Sequence, residues 1–587
     1  MTHDFYQDLK DYLKRNEIKE ALDLFKGISD EDIVDYSWSL ILVTSSYITN
    51  KNERKYRERF DCCKMILNTV AEKCDLSDTL PRFLEEMETD IKFCTIIEVI
   101  GKNILKVKDK MNRWCINVIR CYIEDLAKIQ KETQEVTTVT NRVLKVYNAI
   151  ILFLELMVQK AALKNANSEN YVELRDLLLS LLICLMGEPL CYLQDHVSES
   201  RLDQPLPEAI IMLMDPITGD LLQFLNIVSI RSKRRKSKKK AMNENIDEEN
   251  YNIKRILFES DENTSDLAYA NFYFYILTKS HLWEKAPKIY NWQYIFETCT
   301  YLTIKLLQEK EIVTVKKGLD LMDHLLNRLP KQCLISEMLE LNIYSELFDT
   351  LVQVMIYCDS NKERKKALAL FQKYVEMFDM QARYLVIRRL YHTSEHSGLI
   401  SLTTSMLKDS IIECLETTPP IPYFLGNNLE TLLKLACKLS HGSATDLVEI
   451  SDEIISSLNL LRFLLLRDKY NQTGIWNVIN TLTSDFLRPL RDAIDLCRAH
   501  WKVKIKDLEQ QKKIIGANDM GLEKYDAEIA LIVGGEKLPP LPVSEKILFC
   551  HKAVNGLDVM ESILIRVNEC ICETSFTKTN NYAVTSK

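Results

Sequence analysis

Glycine and proline are scarce in this chain. Each occurs 14 times in 587 residues, well below the roughly 12% that the two residues together contribute to average proteins. Strand-rich folds need many turns, and turns are built largely from these two residues. The shortage therefore favours long helices joined by few connections, and we predict an all-α fold.

The length of the chain exceeds one ordinary hydrophobic core, because single cores stop growing at about 250–300 residues. Apolar residues make up 47% of the sequence, which is ample for burial. The amphipathic segments Lys317–Leu329 and Lys366–Phe378 begin 49 residues apart, slightly more than the ~40–47 residues of a HEAT or armadillo repeat. We predict a HEAT/armadillo-like α-solenoid of stacked antiparallel helix pairs in two regions.

The bulk composition bears on compartment and partner class. A net charge of −8 argues against a nucleic-acid binder, since neutralising phosphates requires a basic surface. The 17 cysteines stand mostly in apolar helical contexts, where free thiols act as small hydrophobes and a reducing compartment is favoured. The N-terminus lacks a secretory signal, and the longest apolar runs fall short of the ~18 residues that span a bilayer. We expect a soluble monomer in the cytoplasm, or also in the nucleus, with no nucleic-acid or membrane contact.

One segment departs from the helical texture. Arg231–Lys240 contains eight basic residues in ten, and the acidic segment Asn243–Asn250 follows it. Such a composition cannot bury itself, so we predict a charged flexible loop at 231–260. We interpret its basic run as a solvated loop, a nuclear import signal or a contact for an acidic partner.

This loop would divide the chain. The predicted regions are an N-terminal helical repeat region at 1–230, a C-terminal HEAT-like helical region at 261–575 and a disordered tail at 576–587. The tail is assigned because its polar final residues offer little to bury.

The strongest catalytic pattern is His392–His396, which fits the H-x-x-E-H signature of inverted zinc peptidases. That chemistry needs both histidines on one helix face. Thr393 and Ser394 are cap and turn residues, so a polar turn between helices is the favoured interpretation. The sequence has no CxxC pair, no glycine-rich phosphate loop and no G-x-S-x-G elbow. We therefore predict no enzyme activity, no metal and no cofactor.

The most specific segment is Ser443–Trp476. It reads as a leucine-rich helix, a polar break at Arg467–Gly474 and a restart at Ile475. The SLNLLR core and the NQTG-apolar-W turn resemble the glomulin family. Further matches to that family lie in order along the C-terminal part of the chain: His396–Gly398, Phe486–Leu490, Ala499-His500, Gly535-Glu536 with Pro539, Asp558–Ser562 and Arg566-Val567.

The resemblance implies an all-helical, HEAT-like and non-catalytic inhibitor of cullin-RING ubiquitin ligases. Members of the family bind the RING-box subunit through their C-terminal region and cover the face that the ubiquitin-conjugating enzyme uses. Here that surface would lie within about 386–575. The resemblance also implies an immunophilin or a receptor tyrosine kinase as further partners. A helical scaffold or adaptor in signalling or nuclear transport, with a different partner, stays open as the alternative.

Candidate partner-binding residues lie in the loops and on the exposed faces of the matching block, since large apolar and Arg side chains are common interface anchors. They are Tyr423, Phe424, Arg467, Asp468, Asn471, Gln472, Trp476, Arg488, Arg491 and Lys504. Trp476 has a competing interpretation, because a tryptophan at a helix start can seal the core of a hairpin. Lys504 has one as well, since the exposed side of its helix can be merely solvated.

Arg462 stands between Leu461 and Phe463 in the leucine-rich helix. An unpaired guanidinium is too costly to bury. We therefore expect Arg462 to reach Asp452, another carboxylate or the surface.

Overall fold

The computed structural model describes residues 2–104, 109–132, 136–162, 169–194, 204–240, 264–517, 532–533, 536–537 and 542–584. Over these ranges the chain is almost entirely helical, and helices that follow one another in sequence pack together. This confirms the predicted all-α, helix-stacking fold class. The chain forms two compact units: unit 1 comprises Met1–Leu329 and Asn342–Phe371, and unit 2 comprises Pro330–Leu341 and Gln372–Lys587.

In its described residues, unit 1 contains eighteen α-helices and the start of a nineteenth, with one short 3₁₀ turn at Leu190–Tyr192. The helices are α1 (Thr2–Arg15), α2 (Ile18–Lys26), α3 (Asp30–Asp35), α4 (Ser37–Tyr47), α5 (Asn50–Lys55), α6 (Arg57–Lys73), α7 (Leu76–Glu85), α8 (Asp90–Lys102), α9 (Asp109–Glu132), α10 (Val136–Ala162), α11 (Glu169–Leu185), α12 (Leu206–Met214), α13 (Leu225–Lys240), α14 (Asp266–Thr278), α15 (Ser280–Trp283), α16 (Trp292–Leu307), α17 (Ile312–Arg328), α18 (Asn342–Tyr357) and α19 (Asn361–Glu376).

The core of the later part of unit 1 is α14, whose sequence is apolar and aromatic all round and which is buried on every face. Such a helix needs neighbours on all sides, and α14 packs against α11, α12, α16 and α17. Ser265 caps its N-terminus by accepting a hydrogen bond from the Ala268 N–H at 3.2 Å, as Ser commonly does. One polar link crosses this core: the Nζ of Lys317, only 4% exposed, donates to Asn271 Oδ1 at 3.1 Å.

The repeat predicted around Lys317 and Lys366 is present as a pair of helices. α17 and α19 begin at Ile312 and Asn361, which reproduces the predicted 49-residue spacing. A salt bridge between Lys366 and Asp320 connects the two helices. The close approach of α16 and α17 depends on Gly318, because a Cβ there would lie 2.9 Å from Leu307 Cδ2.

The expected loop at 231–260 is wrong for its first ten residues. α13 runs through the basic segment to Lys240, and residues 241–260 lie outside the described ranges. The guanidinium of Arg231 donates to the Thr264 carbonyl at 2.6 Å, lies 3.2 Å from Asp266 and covers the Tyr269 ring at 5.3 Å. The basic run therefore begins with a structural residue, because lysine and arginine are good helix formers once the chain is anchored.

The division of the chain also differs from the predicted one. The boundary between the two units falls near residues 330–372, whereas the change in composition suggested 231–260. The physical reason is that α13 and α14, on either side of the charged segment, both pack against α16 of unit 1.

Within the ranges that the structure describes, unit 2 contains the remaining helices, short turns and one pair of two-residue strands. They are the 3₁₀ turn Ser336–Glu340, α20 (Met380–Thr393), α21 (Ser397–Glu416), the 3₁₀ turn Pro422–Phe424, α22 (Gly426–Ala436), the 3₁₀ turn Gly442–Ala444, α23 (Ser451–Arg467), α24 (Ile475–Leu482), the π-helical turn Thr483–Leu487, α25 (Arg488–Ala517), β1 (Ile532–Val533), β2 (Glu536–Lys537) and α26 (Val543–Val584). The strands are antiparallel, with Ile532 opposite Lys537.

Helices α21 and α23 lie side by side and run parallel. The Ser397 hydroxyl accepts a hydrogen bond from the Glu453 N–H at 3.3 Å, and the hydroxyls of Ser401 and Ser456 are 2.5 Å apart. Both contacts join residues about 55 positions apart, so the register is constant along the pair. Parallel alignment of equivalent helices is what stacked helix pairs produce, and this part of unit 2 is therefore repeat-like.

The predicted disordered tail is wrong in its secondary structure. The tail was predicted at 576–587, but α26 continues to Val584. The polar residues after Ser575 carry no proline or glycine, so nothing in this stretch breaks a helix.

Candidate partner-binding surface

The loop at 468–474 is organised by one buried carboxylate. Asp468 follows the last residue of α23 and is 4% exposed. Its Oδ1 accepts the Gln472 N–H at 2.7 Å, and its Oδ2 accepts the Thr473 N–H at 2.7 Å and the Thr473 hydroxyl at 2.5 Å. Charge-assisted hydrogen bonds of this kind are strong. Asp468 was predicted to bind a partner, and that prediction is wrong because its side chain holds the loop together.

Asn471 and Trp476 also bind within this loop. The Trp476 indole N–H donates to the Asp468 carbonyl at 2.9 Å, and the Trp476 backbone N–H donates to Asn471 Oδ1 at 3.1 Å. The Asn471 amide nitrogen donates to Asn477 at 3.0 Å. Both polar ends of Asn471 are thus used internally. Trp476 is half-buried, which matches the interpretation that it seals the hairpin.

Two glycines let the loop approach α22. Gly474 and Gly426 have φ angles of +83° and +55°, a region that side chains other than glycine enter at a cost. The Gly426 N–H donates to the Thr473 carbonyl at 2.9 Å, and a Cβ on Gly474 would lie 3.4 Å from Gly426 Cα. The loop is therefore joined to α22 through the bond between Gly426 and Thr473, and to the end of α23 through Asp468.

Of the two aromatic candidates before α22, one is internal. Phe424 is 0% exposed and meets the Tyr384 ring edge-on at 6.0 Å, so its assignment to a partner surface is wrong. Tyr423 is half-buried, and its hydroxyl donates to Gln381 Oε1 at 3.0 Å. Successive residues of a short 3₁₀ turn point in different directions, which explains why Tyr423 and Phe424 differ in exposure.

Four of the predicted residues are exposed: Arg467, Gln472, Arg488 and Arg491. We call the three arginines the exposed arginine set. None of the three has an ion-pair partner in the part of the chain that the structure describes. Arg488 and Arg491 lie one turn apart at the start of α25, where they neighbour each other on the helix surface. Their charges are available to an acidic partner.

Lys504 differs from the exposed arginine set. It lies on α25 sixteen residues after Arg488, about 24 Å further along the helix. Lys504 is half-buried and already interacts with other residues of the chain. It lies near Cys550 of α26. Burial raises the pKa of the Cys550 thiol and the charge of Lys504 lowers it. The predicted residues thus do not form one compact cluster.

The transition from α24 to α25 contains a π-helical turn at Thr483–Leu487. Pro489 follows it in the first turn of α25 and supplies no N–H, so the regular i to i−4 bond cannot form at that position. A π turn is a common way to absorb such a defect.

An apolar surface that sequence reasoning missed lies on α25 and α26. Leu496 and Val503 on α25 are 59% and 58% exposed, and Leu548 and Phe549 on α26 are also exposed. We call these four residues the α25–α26 apolar surface. Trp501 lies half-buried with its ring edge-on to Phe549 at 5.9 Å. The signal was present in the sequence, since Leu496 and Val503 are seven residues apart and lie off the buried stripe of α25.

Arg498 fixes the two helices that carry this surface. Its Nη2 lies 3.1 Å from Asp558 Oδ1 and 2.5 Å from Glu561 Oε2, both on α26. These two carboxylates raise the pKa of Arg498. A guanidinium held by two acids of a neighbouring helix joins α25 to α26 at this point.

The H-x-x-E-H segment forms the polar turn that was predicted. His392 lies in the last turn of α20, and His396 caps the N-terminus of α21, where its Nδ1 accepts the Leu399 N–H at 3.3 Å. The two imidazoles therefore belong to different helices. In the described residues, no group of three or more His, Cys, Asp or Glu side chains is arranged to hold a metal.

The cysteines are free thiols that lie mostly in helix packing. Burial raises the pKa of Cys62 and of Cys414 to about 11. Such thiols stay protonated at neutral pH and are poor nucleophiles. Within the described ranges, no helix combines the length and the apolar character that crossing a bilayer requires.

Helices that stack in sequence order define a helical-repeat protein. The chain belongs to the family described as the uncharacterised protein family YAP/Alf4/glomulin, which matches residues 7–539. It is 33% identical to glomulin of Homo sapiens over 281 residues, which cover 47% of this chain and 46% of the relative.

A second relative gives the same result. Glomulin of Mus musculus is 33% identical over 267 residues, which cover 45% of this chain and 44% of that protein. The chain thus matches a little under half the length of these relatives. Neither the family description nor the names of the relatives refers to a catalytic activity. The family match and the two relatives confirm the resemblance to the glomulin family.

Proposed function

We propose that this protein is a non-catalytic inhibitor of cullin-RING ubiquitin ligases, which binds the RING-box subunit through unit 2 and masks the face used by the ubiquitin-conjugating enzyme. The observation that carries the proposal is the membership of the glomulin family together with an exposed arginine set and an apolar surface in unit 2. Inhibition would be steric, so the protein needs no catalytic group. Any zinc in the complex would belong to the RING domain.

The exposed arginine set supports the polar part of such an interface. Arg467 ends α23, and Arg488 and Arg491 begin α25. Arginine is enriched at interfaces because its planar guanidinium can bind carboxylates through two hydrogen bonds. Since no acid of the described chain neutralises these three residues, their charges would attract an acidic patch on the partner and raise the association rate.

The α25–α26 apolar surface supports the energetic centre of the interface. Exposed side chains such as Leu496 and Val503 lose little internal packing when a partner covers them. Their burial is favourable by roughly 25 cal/mol per Å² of apolar area. Apolar surface rimmed by charge is typical of protein-binding sites. Lys504 lies on the same helix as Leu496 and would provide part of that rim.

The rigid 468–474 loop supports a preorganised site. The bonds from Asp468 to Thr473 and the indole bond of Trp476 fix the position of Arg467 and Gln472 on the loop. An ordered loop loses little conformational entropy on binding. Asp468, Asn471 and Trp476 would then contribute by positioning the exposed residues.

The remaining expectations about cell biology are part of this proposal. The protein would act as a monomer in the cytoplasm and also in the nucleus. An immunophilin or a receptor tyrosine kinase would be a secondary partner, as the resemblance to glomulin implies. The alternative function, an adaptor with a different partner, is separated from the proposal by the experiment that follows.

Calorimetric titration of the purified chain with a cullin-bound RING-box subunit tests the proposal. The expected result is one-to-one binding with a Kd below about 1 µM, which weakens when Arg467 and Arg491 are both changed to Glu. The matched control is Lys19→Glu, an exposed cation on α2 of unit 1. No measurable heat with the RING-box subunit would leave the adaptor function in its place.

A further inference from the structure

A cleft of about 420 Å³ opens between the parallel helices α21 and α23 of unit 2. One wall comes from α21 and the other from α23, and they converge on the buried Leu460. The lining residues are Thr404, Ser405, Lys408, Ser456, Asn459, Leu460, Arg462, Phe463 and Leu466. The two helices that form the cleft are joined by the hydrogen bond between the hydroxyls of Ser401 and Ser456.

The charge in this cleft is of one sign. Lys408 and Arg462 are both exposed, and within the described ranges neither has a carboxylate at salt-bridge distance. Arg462 was expected to reach a carboxylate or the surface, and its side chain reaches the surface. Asp409 and Asp452 are exposed acids of the same two helices, but neither lines the cleft. Two cations without counter-charges attract an anionic ligand.

The cleft also has an apolar strip and an exposed amide. Phe463 is half-buried with the Lys408 ammonium 5.5 Å from its ring centre, and Leu466 is 54% exposed. Phe463 and Leu466 are three residues apart, so they lie together on one side of α23. Asn459 is exposed beside them and offers both a donor and an acceptor to a peptide backbone.

These features select among anionic ligands. Inorganic phosphate would use the cations and leave the apolar strip exposed. A nucleic acid needs many phosphate contacts and open aromatic faces, whereas here there are two cations and one of them covers the single aromatic ring. An acidic peptide with one apolar side chain would use both the charges and the strip, and helical repeats commonly bind extended segments in grooves of this kind.

We propose that the α21–α23 cleft is a second protein-binding site, which takes an extended acidic segment bearing a leucine or phenylalanine. The carboxylates of the segment bind Lys408 and Arg462, and its apolar side chain packs on Phe463 and Leu466. The site is separate from the RING-box surface proposed above and does not depend on it.

Fluorescence anisotropy with two peptide pools tests this inference. One pool of labelled dodecapeptides carries a central Leu or Phe flanked by Asp and Glu, and the other carries the same centre flanked by Lys. The full chain is expected to bind the acidic pool at least about tenfold more tightly than the basic pool. Changing both Lys408 and Arg462 to Glu is expected to remove that preference by a similar factor, since two attractive contacts become repulsive.

The controls separate the other ligand sources. Lys552→Glu removes an exposed cation of α26 that is outside the cleft and should leave peptide binding unchanged. Lys408→Gln with Arg462→Gln should weaken binding less than the Glu pair while preserving the fold. Equal binding of the two pools would overturn the inference. It would also be overturned if phosphatidylserine vesicles or inorganic phosphate, and not the acidic peptides, bound in a way that depends on Lys408 and Arg462.

Calorimetric titration of the same variants with the RING-box subunit distinguishes this inference from the proposed function. Lys408→Glu with Arg462→Glu is expected to leave calorimetric binding of the RING-box subunit unchanged. If RING-box binding fails in every variant but acidic peptides still bind, the proposed function fails and the cleft stands. If the Glu pair abolishes both, the cleft is part of the RING-box surface and a separate second site is overturned.

Discussion

The Oδ2 atom of Asp468 accepts hydrogen bonds from both the backbone N–H and the hydroxyl of Thr473, at 2.7 and 2.5 Å. Thr473 is completely buried, and its carbonyl in turn accepts the Gly426 N–H at 2.9 Å. A single carboxylate thus connects the end of α23 to the start of α22 through the 468–474 loop.

Asp468→Asn is therefore expected to loosen this loop. The amide keeps the shape of the side chain but points a donor at N–H groups, which leaves buried donors unpaired at a cost of about 2–3 kcal/mol. Hydrogen exchange of peptides covering 468–476 should accelerate, and the urea midpoint of unit 2 should fall. The control Asp492→Asn changes an exposed carboxylate of α25. Equal exchange rates in the two variants would contradict this role of Asp468.

The charge of Glu453 is expected to make stability depend on pH. Burial raises the pKa of this carboxyl from 4.5 to about 6, with Lys438 lowering it in part. The folded state therefore binds the proton more tightly than the unfolded state does. Its contribution is favourable below about pH 4.5 and is lost as the pH rises through 6.

Glu453→Gln should consequently stabilise the protein at pH 7 by about 1 kcal/mol, a value reduced for partial solvent screening, and should have no effect at pH 4. Urea unfolding at the two pH values measures this difference. Asp452→Asn is the matched control, because Asp452 is the exposed neighbour in the same helical turn. A variant that gains nothing at pH 7 would rule out burial as the cause.

The approach of α16 to α17 makes Gly318 intolerant of a side chain. A Cβ at this position would lie 2.9 Å from Leu307 Cδ2 and 3.0 Å from Leu306 Cβ. Gly318→Ala should destabilise unit 1 by about 1–3 kcal/mol, despite the better helix propensity of alanine.

Gly556→Ala on α26 is the control, since a Cβ there meets nothing within 4 Å. It should be neutral or stabilise by up to about 1 kcal/mol. Thermal unfolding measures both variants, and equal midpoints would contradict the close packing.

Leu496→Asp and Val503→Asp together are expected to weaken RING-box binding by at least about tenfold, because the carboxylates replace apolar area that a partner would bury. Stability should stay within about 0.5 kcal/mol, since both side chains are exposed. Val34→Asp, an exposed apolar residue of α3, is the control. Unchanged calorimetric binding in the double variant would remove the α25–α26 apolar surface from the interface.

The fold class could be predicted from the sequence because it depends on local signals that recur along the chain. The scarcity of Gly and Pro predicted helices, and the spacing of Lys317 and Lys366 predicted a repeat that α17 and α19 confirm. The basic run at 231–240 was mispredicted because composition reports solubility, whereas tertiary anchoring of Arg231 by Thr264 and Asp266 decides its conformation.

The candidate site was less predictable, because exposure depends on neighbours that are distant in sequence. Phe424 looks like Tyr423 in the sequence, yet Tyr384 buries it. Asp468 reads as a polar loop residue, and only the loop geometry shows that it bonds inward. Leu496 and Val503 lie off the buried stripe of α25, but only the packing of α26 shows that they stay exposed.

The most direct measurement is ubiquitin-chain formation by a cullin-RING ligase at increasing concentrations of this protein. The proposed masking predicts inhibition that saturates at one protein per RING-box subunit and is relieved by excess ubiquitin-conjugating enzyme, because the two compete for one face. Full chain formation with the protein bound, or inhibition that the conjugating enzyme does not relieve, would contradict it.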